Sequence, residues 1–296
     1  MADTKPKSCS SCTRSDCDAK QQRPNESPEM YADRMAIMER MCQIKSKILV
    51  LSGKGGVGKS TVAANLAVSL SRSGLEVGLL DVDIHGPSIP RLLKLDGSSV
   101  IVKGETMIPP RVNRTLKVMS IGFMLRGRDD AIIWRGPMKM GAIKQLLKDT
   151  EWGELDYMIV DCPPGTGDEP LSAVQLIQDA DGAVVVTTPQ ELSLLDVRKS
   201  INFCHKLELP VIGVIENMSG FVCPKCGEVI DIFKKGGGEE MAKEMGVPFL
   251  GRVPVDPSIV RSGDAGEPLT GQDGESEATE AFDAISRQVV EATSHS

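Results

Sequence analysis

Apolar residues fall along this chain in two rhythms. Short, largely apolar runs, Ile48–Leu51, Glu76–Asp81, Tyr157–Val160, Ala183–Thr187, Val211–Ile215 and Phe249–Val253, read as strands, most with the β-branched and leucine content of strands buried on both faces. A further run, Leu116–Ile121, reads as a possible strand. Between them the apolar positions recur at helical spacing: Val62, Ala63, Leu66, Ala67 and Leu70; Ile143, Leu146 and Leu147; Leu194–Leu207; and Glu239–Met245. Strands alternating with helices predict an α/β fold, a mostly parallel, doubly wound sheet covered on both faces. From Lys94 to Arg114 the pattern fades, and Gly97, Gly104, Pro109 and Pro110 mark turns.

The ends of the chain read differently. Residues 1–22 are polar and carry Cys9, Cys12 and Cys17 without apolar periodicity, so order there would require a metal. Ser27 as N-cap and Pro28 at the first position then announce a helix. Its expected buried stripe is Tyr31, Met35, Met38 and Cys42, with Cys42 a small core hydrophobe. Residues 1–46 thus form a cysteine-bearing extension, and 47–292 the main domain. The tail helix, about Ser276 to Ala292, has Ala281, Ile285, Val289 and Val290 as its stripe. Its early acidity and lack of lysine argue against a membrane-targeting helix.

The decisive stretch is Lys47–Leu66, KILVLSGKGGVGKSTVAANL. A strand ends just before Gly53, Lys54, Gly55, Gly56, Val57, Gly58, Lys59, Ser60 and Thr61, and a helix starts inside them. Glycines let the backbone approach a ligand, and the helix amides point back at the loop, which makes a nest for polyphosphate. The spacing matches G-x-x-x-x-G-K-[ST], in which Lys59 reaches the β and γ phosphates and Ser60 ligates Mg²⁺. Two strands end in carboxylates at the same expected sheet edge: Asp81 and Asp83 after the second, Asp161 after YMIV. Asp161 stands where a Mg²⁺ water shell is held. Gly165–Gly167 after it suits a turn that senses the γ-phosphate through its amides. His85 reads as a positioned loop histidine, and Cys162 as buried and inert.

The 296 residues carry a net charge of −7 and only 3% aromatics. That balance leaves no broad basic face for nucleic acid and few platforms for stacking bases. No apolar run approaches the ~18 residues of a membrane span and the N-terminus lacks an apolar signal core, so a cytoplasmic protein without a membrane partner is expected. In a reducing compartment the eight cysteines are expected to be thiols or metal ligands. Cys223 and Cys226, in FVCPKCG, sit on one tight turn where both thiolates can face one metal. Two sulfurs leave a tetrahedral site half built. Two completions are open: Cys9 and Cys12 of the same chain around zinc, or the same pair of a second subunit around an iron–sulfur cluster.

Lys54 makes the loop more specific. GKGGVGKS resembles the deviant Walker A of the SIMIBI-class P-loop ATPases, and DxHGPS, WRGPM and the CxxC after Asn217-Met218 resemble the Mrp/ApbC/Nbp35 iron–sulfur carriers, over about Lys47–Pro257. The resemblance implies a homodimer in which Lys54 reaches the partner's nucleotide and Asp83 orients the attacking water. It further implies that Asp81 serves the Mg²⁺ shell, and that Asn217 holds adenine with Val253–Asp256, including Pro254 and Asp256, completing the base pocket. Cys223 and Cys226 would bridge a labile four-iron (4Fe-4S) cluster delivered to apo iron–sulfur proteins. The C-x2-C-x4-C of Cys9, Cys12 and Cys17 departs from the family's four-cysteine pattern there and implies at most a second, incomplete cluster site. A zinc-stabilised positioning ATPase without a cluster is the alternative reading.

Overall fold

The chain order begins with α1 (Pro28–Met41), β1 (Ile44–Ser52), α2 (Lys59–Arg72), β2 (Val77–Asp81), the single turn α3 (Ile89–Leu92), and the strands β3 (Ile101–Lys103), β4 (Thr106–Ile108) and β5 (Leu116–Ser120). It continues with α4 (Gly136–Lys148), β6 (Leu155–Asp161), α5 (Asp168–Leu176), β7 (Gly182–Thr187), α6 (Glu191–Lys206) and β8 (Val211–Val222). Last come β9 (Val229–Ile230), α7 (Gly237–Glu244), β10 (Phe249–Val255), α8 (Pro257–Ala265) and α9 (Glu277–Thr293). The structure is a computed structural model that describes residues 22–24, 26–124, 136–177, 179–223, 225–233, 235–267, 269 and 276–294. Cys9, Cys12, Cys17 and Trp134 lie outside the described residues.

The main sheet runs β10-β8-β7-β1-β6-β2-β5, and every pairing along that path is parallel. Parallel neighbours need crossovers, and the helices that make them bury both faces. Ile48–Val50 of β1 are fully excluded from solvent. One face packs against α2 and α9 through Leu66, Leu70, Phe282 and Ile285; the other packs against α4 through Ile143, Leu146 and Leu147, with Trp152 fully buried. The strand order reverses at β1, with β6 and β2 to one side and β7 and β8 to the other. The crevice beyond the carboxyl end of β1 is therefore the topological switch point, where such sheets bind ligands.

The expected strands are present, most with extended boundaries and two, β2 and β5, shorter by one residue; four further differences have physical causes. In α1 the buried face is Arg34, Ile37 and Met41, whereas Tyr31, Met35, Met38 and Cys42 are only half-buried. Arg34 can take that face because Glu26 pairs its guanidinium at 2.7 Å; Cys42 is thus no core residue. Second, β1 starts at Ile44, so the boundary expected at 46/47 falls inside a strand. Third, β8 runs on through Asn217 to Val222 and pairs with β9 as an antiparallel hairpin. Fourth, the faint region holds the hairpin β3–β4, whose Ile101 and Val102 are exposed and leave no burial signal.

The helices α5 and α8 were also not anticipated. Asp256 caps α8 by accepting the Ser258 N–H at 2.7 Å, with Pro257 at the first position. In α9 the buried positions are Ala278, Phe282, Ile285 and Val289, while Ala281 and Val290 flank them half-buried. Truncating Ile285→Ala should therefore cost about 2–5 kcal/mol of unfolding free energy. Arg287→Ala on the exposed side of the same helix should stay within about 0.5 kcal/mol. Urea denaturation of the two variants checks the register of the helix on the sheet.

Candidate nucleotide and metal site

The loop between β1 and α2 occupies the switch point. Gly53 accepts no side chain, because a Cβ there would stand 2.3 Å from the backbone of Asp196 at the start of α6. Gly58 is left-handed at φ 79° and equally closed, with the Asn217 amide nitrogen 2.2 Å from where a Cβ would be. No side chain caps α2, so the first amides of the helix, Lys59, Ser60 and Thr61 among them, face the loop with their hydrogen-bonding capacity unspent. That is the anion-binding arrangement expected of a helix N-terminus.

Behind the loop lies a buried charge cluster. The parallel register of β2 and β6 sets Asp81 directly against Asp161. Lys59 Nζ lies 2.5 Å from Asp161 Oδ1, 3.5 Å from Asp83 Oδ2 and 3.3 Å from Ser60 Oγ. The lysine is only 6% exposed, which decides its environment. Burial opposes its charge, yet Asp161, Asp83 and Asp81 outweigh burial and hold the ammonium above the ordinary lysine range. Burial lifts the Asp161 carboxyl above its usual range despite Lys59. Asp81 is raised further, first by burial and then by the charge of Asp161.

The three carboxylates differ in their remaining valence. Asp81 is spent on the fold: Oδ2 accepts the Ser120 hydroxyl at 2.8 Å, and Oδ1 accepts the Asp83 N–H at 3.0 Å. It holds Asp83 in place from behind. Asp83 Oδ1 and Asp161 Oδ2, in contrast, are buried with no hydrogen-bond partner among the described residues. Orphaned carboxylate oxygens beside the Ser60 hydroxyl are the hard-oxygen donor set that fits Mg²⁺. The Lys59 ammonium meanwhile rests on the carboxylates.

The surrounding loops are tied to this cluster. Gly165 N–H donates to Ser52 O at 2.7 Å, which couples the turn after Asp161 to the end of β1. His85 Nε2 sits 2.8 Å from Glu169 Oε1, and Lys139 pairs with the same carboxylate. Of the three, only His85 stands out in the sequence; Glu169 two residues after the Gly165–Gly167 turn and Lys139 directly after WRGPM are signalled by position alone. Cys162 is fully buried, and burial pushes its thiol far up. Lys54 accepts the Ser52 hydroxyl on its carbonyl at 3.0 Å, and among the described residues its ammonium forms no ion pair.

Two sequence-predicted base-pocket residues have other partners here. Asn217 donates from Nδ2 to Val57 O at 2.9 Å, and Asp256 caps α8. Pro254 lines a cavity of about 390 Å³ with Ser219, Phe221, Arg252 and Glu277 at the edge of the sheet.

The second chemistry sits at the tip of the β8–β9 hairpin. Cys223 N–H donates to Glu228 O at 2.9 Å, and Gly227 N–H returns to Cys223 O at 2.8 Å. Backbone amides of Lys225 and Cys226, then the Cys226 thiol, hold the Cys223 thiol below its usual range. Cys223 is half-buried and Cys226 exposed, and among the described residues no cluster of three metal-ligating side chains includes them. Two cysteine sulfurs on one turn, one half-buried and one exposed, are the donor type and half the donor number of a tetrahedral soft-metal site.

A model of the family described as ParA, NUBPL iron-transfer P-loop NTPase, matches residues 43–290. The chain belongs to this family of iron-transfer P-loop NTPases. A protein of Methanocaldococcus jannaschii named iron-sulfur cluster carrier protein is 49% identical over 275 residues, covering 93% of this chain and 94% of that protein. The solved nucleotide-binding protein of Archaeoglobus fulgidus in complex with ADP, with cobalt found in it, is 40% identical with a TM-score of 0.71, over 80% of this chain and 93% of that one. The cell-division protein MinD of Aquifex aeolicus has a TM-score of 0.60 at 22% identity, covering 83% of this chain and 97% of that one, a likeness of fold alone. No helix among the described residues is long and apolar enough to cross a membrane.

Lys59→Ala should abolish phosphate release from ATP; near-normal turnover would refute the role of the loop. The same variant tests the buried charges. Carboxyls with raised folded-state pKa bind protons the unfolded chain has released, so the stability tied to them is greatest in acid and is lost as pH rises above the ordinary carboxylate range. Lys59 offsets this in the native protein. Without Mg²⁺, Tm of Lys59→Ala should therefore fall more steeply than that of the parent between about pH 5 and about pH 8.

Proposed function

We propose that the protein is a homodimeric ATPase that assembles an iron–sulfur cluster between its subunits and delivers it to apo iron–sulfur proteins. The observation that carries this reading is that the strand contacting the phosphate loop through Asn217 runs directly into the turn of Cys223 and Cys226. The name borne by the curated relatives supports it.

ATP lies on the loop from Gly53 to Thr61, with Asn217, Pro254 and Asp256 forming the base pocket. Asp256 exchanges its present partner for the nucleotide, while Asn217 keeps Val57 O on Nδ2 and offers its amide oxygen to adenine. Ser60, Asp83 and Asp161 would hold Mg²⁺ through its water shell, and when bound it would supply positive charge against the phosphates. Lys59 leaves its carboxylates for the γ-phosphate, Asp83 orients the water for in-line attack, and Lys54 of each chain reaches the nucleotide of the other. Two thiolates per chain become four at the twofold axis, the ligand count of a four-iron cluster. Cys9, Cys12 and Cys17 form a second, incomplete thiolate set that acts in transfer.

Anaerobic purification with iron, sulfide and zinc assays tests the cargo. Iron and sulfide in equal amounts are expected; zinc without sulfide would refute the cluster and favour a structural knuckle. Cys223→Ala and Cys226→Ala each remove half the ligands of a shared cluster, because each change appears on both sides of the axis. Both variants should lose the bridging cluster and dimerise more weakly while still binding ATP. Replacing Cys9, Cys12 and Cys17 should leave that cluster in place. Iron insensitive to Cys223→Ala but lost with Cys12→Ala would overturn the bridging arrangement.

Lys54 requires a different experiment. Verified heterodimers of Lys54→Ala chains with Lys59→Ala chains should recover part of the ATP turnover, since one composite site then has both lysines. No recovery would place the action of Lys54 within its own chain.

A further inference from the structure

We propose that Glu216 is a positioning residue that couples the phosphate loop to the cysteine turn. Neighbouring residues of a strand face opposite sides of the sheet, and at Glu216 and Asn217 the two sides hold the two halves of the molecule. Asn217 Nδ2 grips Val57 O at 2.9 Å. That carbonyl belongs to the same planar peptide as the Gly58 N–H, one of the amides at the phosphate nest, so the peptide cannot turn toward phosphate without moving the oxygen that Asn217 holds. Gly58 leaves no slack, since the Asn217 amide already fills the place of its missing side chain.

Glu216 is fully buried, and its carboxylate gathers the excursion that carries the cysteines. Oε1 accepts the Ser219 hydroxyl at 2.5 Å, on the way out to the hairpin, and the Gly236 N–H at 2.9 Å, on the way back. Oε2 accepts the Gly238 N–H at 2.5 Å, in the uncapped first turn of α7. Arg252 of β10 stands 3.5 Å from Oε1 and partly balances the charge. A buried carboxylate with this many donors is held in one place, because removing any of them exposes an uncompensated charge. Both ends of the cysteine hairpin are thus fixed to one side chain.

Between this clamp and the cysteines the strand leaves regular geometry. Met218 has φ 57° and Gly220 φ 77°, and the pairing of β8 with β10 slips between Val253 and Val255. Left-handed backbone at a non-glycine residue costs about 1–2 kcal/mol, so Met218 is held there by its surroundings and not by its own preference. A displacement of the Val57–Gly58 peptide on nucleotide binding reaches Asn217, shifts the adjoining Glu216 carboxylate, and re-aims the segment from Ser219 to Gly236 as a unit. Nucleotide state thereby sets the exposure of Cys223 and Cys226.

This proposal rests on reading the loop as an ATP site and the turn as the cluster site, but its test needs no cluster. Cluster-free protein is alkylated with iodoacetamide with and without excess Mg·ATP, and the rates at Cys223 and Cys226 are resolved by peptide mapping. The parent should show a change of at least about fivefold, the lower end of ordinary coupling between sites. Glu216→Gln keeps the shape but removes the charge; it should bind ATP as the parent does and show no nucleotide-dependent change in rate. Ser219→Ala, a milder loss of one hydrogen bond, should reduce the change, and it is the deciding variant if Glu216→Gln does not fold. A parent without a nucleotide effect, or either variant with the full effect and normal ATP affinity, overturns the proposal.

Discussion

The ion cluster of Lys59 with Asp161 and Asp83 is the constraint on which the rest depends. Parallel pairing places Asp81 and Asp161 at one register across adjacent buried strands, and carboxylates that close cannot all stay ionised without a cation. The Lys59 ammonium supplies it at 2.5 Å from Asp161. A buried ion pair is a poor source of net stability, because desolvation consumes most of its attraction. Its value here lies in being exchangeable: a lysine that neutralises carboxylates without nucleotide can neutralise phosphate with it, provided another cation takes its place on the orphaned oxygens of Asp83 and Asp161.

The same economy governs the far edge of the sheet. Glu216 is another fully buried carboxylate, satisfied by two backbone amides, a hydroxyl and a nearby arginine. Where Asp161 is held by a side-chain ammonium, Glu216 is held chiefly by backbone amides. One arrangement can therefore exchange partners and the other can only move as a whole. β8 joins them, since Asn217 reaches the phosphate loop while its neighbour clamps the hairpin that bears the thiols. In this member of the iron-transfer family, one strand thus links the loop after β1 to the turn of Cys223 and Cys226.

Much of this was legible in the residues themselves. The apolar runs and helical periodicities marked the parallel sheet, because strands buried on both faces must be apolar throughout. The loop from Gly53 to Ser60 declared a phosphate nest, because glycine and a helix start at that spacing have few other uses. Asp161 was readable as the end of an apolar strand, and the pair Cys223 and Cys226 as a turn. Where burial was slight, as in β3 and β4, the pattern had nothing to record. In α8 the cap signal of Asp256 and Pro257 was present, but the helix it starts buries no residue, so no periodicity follows it.

By itself, then, the sequence determined the local alphabet: which segments are strands and helices, where the loop lies, and which residues carry its chemistry. These follow from periodicity and from backbone preferences that act over a few residues. Tertiary structure alone decided the division of labour among identical groups. Asp81 became a support for Asp83, and Asp83 and Asp161 kept free oxygens, because strand register fixed which donors each could reach. Arg34 took a buried face that periodicity gave to Tyr31 and Met35, because Glu26 folded back to pair with it. Glu216 reads in sequence as one more charged residue after an apolar run. Its role exists only because Gly236 and Gly238, about twenty residues later, return to the same point in space, and no local preference encodes that meeting.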